Sequence, residues 1–95
     1  MQIKYTLDAL ASLTSLINFI ESKNTQGAGL RWLGRYETFL LKTLANVKRL
    51  TLCKNSVLKK LHLHCIYFND WLIAISVHED FILVEALLHK SRIRD

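Results

Sequence analysis

"WLIAISVHEDFILVEALL", residues 71–88, decides the architecture of this chain. Two apolar runs flank the polar triplet His78-Glu79-Asp80. The stretch is long enough to invite a membrane-spanning reading, but burying those three groups at a bilayer centre would cost several kcal/mol. They mark a turn instead. Neither run alternates apolar with polar residues, and near-continuous apolar strands are those covered on both faces or placed centrally in a sheet. A hairpin is expected, with strands over 71–77 and 81–88.

Upstream, "VLKKLHLHC", residues 57–65, sets Leu61, Leu63 and Cys65 against Lys60, His62 and His64. That period of two predicts a strand with one wet, cationic face, completing a three-stranded meander. A polar connection, "KRLTLCKNS", precedes it.

The first half has a different rhythm. "QIKYTL", residues 2–7, alternates Ile3, Tyr5 and Leu7 with polar residues and predicts a half-buried strand. Asp8 is expected to cap a helix running to Lys23, with Leu10, Leu13, Leu16, Ile17 and Ile20 as its apolar stripe. After "NTQGAG", a second helical pattern spans 27–47, with Leu30, Leu33, Tyr36, Leu40, Leu44 and Val47 on one side. Two amphipathic helices joined by a short Gly-bearing link form a helical hairpin, and they need a flat surface to cover. The first strand joins that sheet to protect its own edge. A single two-layer α+β domain over residues 1–95 follows, in the order strand, helix, helix, strand, strand, strand.

Composition supports a packed core: 51% of the residues are hydrophobic. Thirteen Lys and Arg against eight Asp and Glu leave a formal charge of +5, which favours nucleic acid, an acidic protein or an anionic surface as partner. The basic residues cluster. From Thr38 to Asn69 there is no acidic residue, whereas Lys42, Lys48, Arg49, Lys54, Lys59 and Lys60 are basic and His62 and His64 lie beside them. Lys90, Arg92 and Arg94 crowd the C-terminus next to His89. If the wet strand face and the C-terminal end share one side of the sheet, these groups form one cationic surface. Its expected members are Lys48, Arg49, Lys59, Lys60, His62, His64, His89, Lys90 and Arg92.

No cofactor motif is present: the chain lacks a dinucleotide-binding glycine pattern, a P-loop and a nucleophile elbow. His62 and His64 would share a strand face, but Cys65 points away and no third ligand is near in sequence, so no metal site is expected. Trp32 and Trp71 read as packing residues. Cys53 and Cys65 make neither a disulfide framework nor a CxxC motif, and nothing at the N-terminus has the make-up of a secretion signal. A cytoplasmic protein with reduced thiols is expected.

Residues 58–92, "LKKLHLHCIYFNDWLIAISVHEDFILVEALLHKSR", resemble the C-terminal half of the RelE/ParE superfamily. These are the toxins of bacterial type II toxin-antitoxin modules, including plasmid-stabilization systems. A basic residue and a leucine, here Lys60-Leu61, lead into two central strands, and the last strand ends in a "LLHGRR"-like sequence, here "LLHKSR". The resemblance implies a growth-inhibiting toxin held in check by a cognate antitoxin. Composition and motifs lead to the expectation of no cofactor and no membrane partner, and a half-apolar small domain without its antitoxin is expected to form a homodimer.

Two activities exist among such toxins. RelE-like members cut messenger RNA on the ribosome, whereas ParE-like members poison DNA gyrase without cleaving RNA. The usual Arg of the RelE-like third strand is missing from Trp71–Val77, and Lys90 and Ser91 stand where "HGRR" has its Gly and first Arg. These departures favour a ParE-like, non-nucleolytic toxin or its inactive, degenerate descendant. For the RelE-like alternative, the catalytic candidates are His64, His89 and Arg92.

Overall fold

A computed structural model describes residues 2–45 and 50–92. Along the chain come β1 (Gln2–Tyr5), α1 (Leu7–Lys23), α2 (Ala28–Thr43), the short α3 (Ser56–Lys60), β2 (His64–Phe68), β3 (Trp71–Val77) and β4 (Phe81–His89), then a 3-10 turn at Lys90–Arg92. The expected α+β order is present: an N-terminal strand, two helices and a strand meander within one four-stranded sheet. The sheet order is β1-β4-β3-β2, with β1 parallel to β4 and the other pairs antiparallel. Val47, Lys48, Arg49 and Arg94 lie outside the described residues.

Because β3 and β4 are apolar on both faces, each face needs a cover. Leu72, Ile73, Ala74 and Ile75 are all fully buried. Ile73 and Ile75 join Ile82, Val84 and Leu87 beneath α1 and α2, while Leu72 and Ala74 join Ala86 and Leu88 on the opposite face. Strict alternation would not put Val84 and Leu87 on the same side. A bulge corrects the phase: Ala74 pairs with Ala86 but Ile75 pairs with Val84, so Glu85 is the extra residue. Thr6 secures that irregularity, its amide donating to the Val84 carbonyl and its hydroxyl to the Glu85 carbonyl.

Thr6, and not the expected Asp8, is also the N-cap of α1, its hydroxyl accepting from the Ala9 amide at 3.1 Å. Asp8 falls in the first turn, where a carboxylate complements the helix dipole. The buried stripe of α1 is Ala9, Leu13 and Leu16, which leaves Leu10 largely exposed. The link into α2 is organised by Glu21, whose carboxylate accepts from the amides of Gly27 and Gly29 at 2.7 and 2.9 Å. Those two bonds hold its pKa below the usual carboxylate range. Gly27 takes a φ of 85°, and Gly29 lies so close to α1 that a Cβ there would stand 2.7 Å from the Ile17 carbonyl oxygen. This contact fixes the rotation of α2. Gly29, Trp32, Tyr36 and Leu40 turn inward, and Leu30, expected in the stripe, is 71% exposed. Trp32 packs in the core, stacked on Tyr36 at 5.3 Å. The Tyr36 hydroxyl meets that of Tyr5 at 3.0 Å, tying α2 to β1.

The second cover is the main departure from expectation. Residues 57–65 are not one strand: Asn55 accepts from the amides of Val57 and Leu58 and caps α3, and β2 begins only at His64. His62 takes a left-handed φ of 57°, which breaks the alternation, so Leu61 is 63% exposed while Leu63 and Cys65 point inward. Segment 50–63 becomes a strap across the outer face of the sheet, where Leu63 and Leu58 pack on Leu72, Ala74, Ala86 and Leu88. Cys53 and Cys65 are joined in a disulfide, correcting the expectation of reduced thiols. Twelve residues apart in sequence, their Cα atoms come within 4.7 Å because 51–53 runs alongside 63–65. No described helix is long and apolar enough to cross a membrane.

Two outcomes follow. Closing a loop of this size contributes about 3 kcal/mol through lost unfolded-state entropy, so Cys53→Ser/Cys65→Ser should lower the urea-unfolding free energy by about that amount. Second, burial first, and then the bond to Tyr5, push the Tyr36 hydroxyl pKa up; burial raises that of Tyr5 as well. A raised folded-state pKa gives stability that is complete below the unfolded value of about 10 and lost as pH rises beyond it. Wild-type stability should therefore fall steeply in that alkaline range, and Tyr36→Phe should flatten the slope at a neutral-pH loss of about 1 kcal/mol.

Candidate functional site

The expected cationic surface divides in two. Lys54, Lys59, Lys60 and His62 are exposed on the strap and its α3 helix, over the outer face of the sheet. His89 lies on the helix side, because β4 alternates Leu87 inward, Leu88 outward and His89 inward again. The strap joins β2 at His64 and packs over Leu72 and Leu88, so the sheet itself stands between its lysines and His89. No single face collects both groups.

His62 and His64 also part. His62 stands exposed in its left-handed turn, whereas His64 is half-buried on the helix side with Ile66 and Phe68. The His64 Nδ1 is enclosed and has no hydrogen-bond partner among the described residues. Among those residues, no three His, Cys, Asp or Glu side chains come together in a way that could hold a metal ion. Lys90 is tied twice to the β2–β3 turn, its ammonium 3.0 Å from the Asp70 carboxylate and its amide donating to the Asp70 carbonyl. Arg92 closes the 3-10 turn.

At the end of β4 there is a built depression. An open groove of about 670 Å³ runs between α1 and the ends of β3 and β4. Ser12, Ser15 and Phe19 form one wall, and Trp71, His89 and Ser91 the other. Within it, the Ser91 amide donates to His89 Nδ1 at 3.2 Å, and the Ser91 hydroxyl lies 2.9 Å from the same nitrogen. A backbone N–H only donates, so Nδ1 is the acceptor and the neutral ring carries its proton on Nε2. Trp71 stands edge-on to the imidazole at 5.2 Å and an interplanar angle of 81°, holding its orientation. The arrangement presents one N–H donor beside hydroxyls and aromatic edges. It suits binding of a polar, planar or phosphate-bearing group.

Of the groove's lining, His89 alone was singled out in the sequence as a functional candidate. Ser12, Ser15 and Phe19 did carry a signal, since spacings of three and seven place them on one face of a helix. Trp71 was legible only as packing, which it also does. No family model matches this chain, and no curated protein is similar to it.

The hydrogen bonding of His89 has a direct readout. Nitrogen chemical shifts of the neutral imidazole should report the Nε2–H tautomer; a proton found on Nδ1 would mean the Ser91 contact does not form in solution.

Proposed function

We propose that this chain is the toxin of a type II toxin-antitoxin module, neutralised by a cognate antitoxin, and that it acts on DNA gyrase in the ParE manner by binding and not by cleavage. The order of strand, helical hairpin and meander supports the reading, together with the "LLHKSR" ending of β4. One observation carries the choice of mechanism: the basic groups do not converge. Cleaving RNA requires a base within hydrogen-bond reach of the 2′-hydroxyl and cations around the phosphorane-like transition state. Here Lys59, Lys60 and His62 occupy the strap, His64 turns inward, and Lys90 is paired with Asp70. A dispersed set of lysines suits a broad contact with an acidic or phosphate-bearing partner better than chemistry at one point.

A second reading has a specific observation behind it. The groove around His89 offers an Nε2–H donor, three serine hydroxyls and two aromatic rings, the equipment for holding one nucleotide in a ribosome-dependent endoribonuclease of RelE type.

Induction in a bacterial host separates the two, read by primer extension of cellular messenger RNA and by a supercoiling assay with purified gyrase. The expected result is growth arrest with intact messages and inhibited supercoiling, relieved by Lys59→Ala/Lys60→Ala. Codon-phased cuts lost in His89→Ala would establish the RelE-type activity and overturn the gyrase reading.

A further inference from the structure

We infer that a cavity between β1 and α2 is a binding site for a small organic ammonium, its apolar body seated in the cavity and its charged head held by the Glu37 carboxylate and the Tyr5 hydroxyl. The cavity has a volume of about 340 Å³, within the range that holds small ligands. Ile3 and Tyr5 line it from β1, and Leu33, Leu40 and Leu41 from α2. Among the described residues that line it, Glu37 alone is charged. None of them belongs to the strap or to the groove around His89.

Charge selects the ligand. The chain carries a formal +5, yet the cations nearest in sequence turn away from this cavity. Lys4, between Ile3 and Tyr5, takes the opposite face of β1, where its ammonium stands 4.5 Å from the centre of the Phe81 ring. Arg31 and Arg35 border a separate shallow depression with Gly34 and Thr38. Glu37 makes no ion pair with any described residue. A carboxylate without a counter-charge, set against apolar walls, attracts a cation and repels an anion. Its field reaches into the cavity: burial is the main reason the Tyr5 and Tyr36 hydroxyls hold their protons to higher pH, and the negative charge of Glu37 adds to it in both.

The tyrosine pair supplies the second contact. Tyr36 is fully enclosed, and its hydroxyl meets that of Tyr5 at 3.0 Å and no other described partner. Its hydrogen therefore goes to the Tyr5 oxygen. Tyr5 is half-buried and lines the cavity, so its own hydrogen and remaining lone pair are left for an occupant. An ammonium has three hydrogens to donate, enough for the carboxylate and the phenol oxygen together, and bonds to an ionised acceptor are the stronger kind. The carbon body then displaces water from Ile3 and the three leucines. Because a bound ligand touches both β1 and α2, it stabilises the folded chain by mass action. The inference does not rest on the toxin reading, and its readout makes no use of toxicity.

The test is titration of the full chain with phenethylammonium chloride, followed by nitrogen–proton correlation spectra and by thermal unfolding. Amides of Ile3, Tyr5, Leu33, Glu37 and Leu41 should shift saturably, and the unfolding midpoint should rise with probe concentration. Phenethyl alcohol, the same body without the charge, should bind about tenfold more weakly, and hydrocinnamate, which carries the opposite charge, more weakly still. Glu37 is exposed, so Glu37→Gln should keep the wild-type midpoint without probe. The variant should lose about tenfold in affinity for the ammonium and keep its affinity for the alcohol. Four results would each overturn the inference: no saturable shift, shifts confined to the strap or the His89 groove, an ammonium that binds wild type no better than the alcohol does, or ammonium affinity indifferent to Glu37→Gln.

Discussion

Everything in this fold answers to one constraint, the burial of β3 on both of its faces. Leu72, Ile73, Ala74 and Ile75 are consecutive and fully buried, so no side of the strand is free to meet water. Two covers are required, and the chain supplies two of unequal quality. The helix side receives α1 and α2 with an aromatic cluster of Trp32, Tyr36, Phe39 and Phe68. The other side receives a short strap that packs Leu58 and Leu63 on the sheet and is joined to β2 by the Cys53–Cys65 disulfide. The bulge at Glu85 belongs to the same problem, for without it Leu87 would point away from the helices that need it.

Much of this was legible in the sequence, for identifiable reasons. Strand β3 lies where its apolar run predicts, and β4 extends one residue further, because long apolar runs bounded by a charged turn have few alternatives. The helices were equally plain, but their rotation was not. Leu30 fits the 3.6-residue stripe as well as Trp32 does, and only the approach of Gly29 to Ile17 selects between them. Residues 57–65 misled because alternation describes side chains and says nothing about Asn55, whose capping of α3 costs the segment its strand, or about the left-handed His62. Two cysteines twelve residues apart carry no signal of pairing until the segment between them folds back.

Site prediction suffered for the same cause. Once the strap replaced a flat strand, the lysines it bears moved to the outer face, while the end of β4 kept His89 under α1. What remains is a division of labour between a cationic surface of lysines and a small groove with one oriented imidazole. Binding and chemistry, if both occur, happen in different places. That separation bears on any activity assigned to the chain, because groups on opposite faces of a sheet cannot meet one substrate atom.

The parallel pairing of β1 with β4 has a consequence for how the protein is made. Ile3 pairs with Ile82 and Tyr5 with Val84, so β1 waits during synthesis for a strand 79 residues further along the chain. The helical hairpin can form from its own local contacts, yet Ile3 and Tyr5 stay without their strand partners until β4 has emerged. Sheet closure is then a late, long-range event. A chain interrupted before Phe81 would lack the strand that unites β1 with the meander.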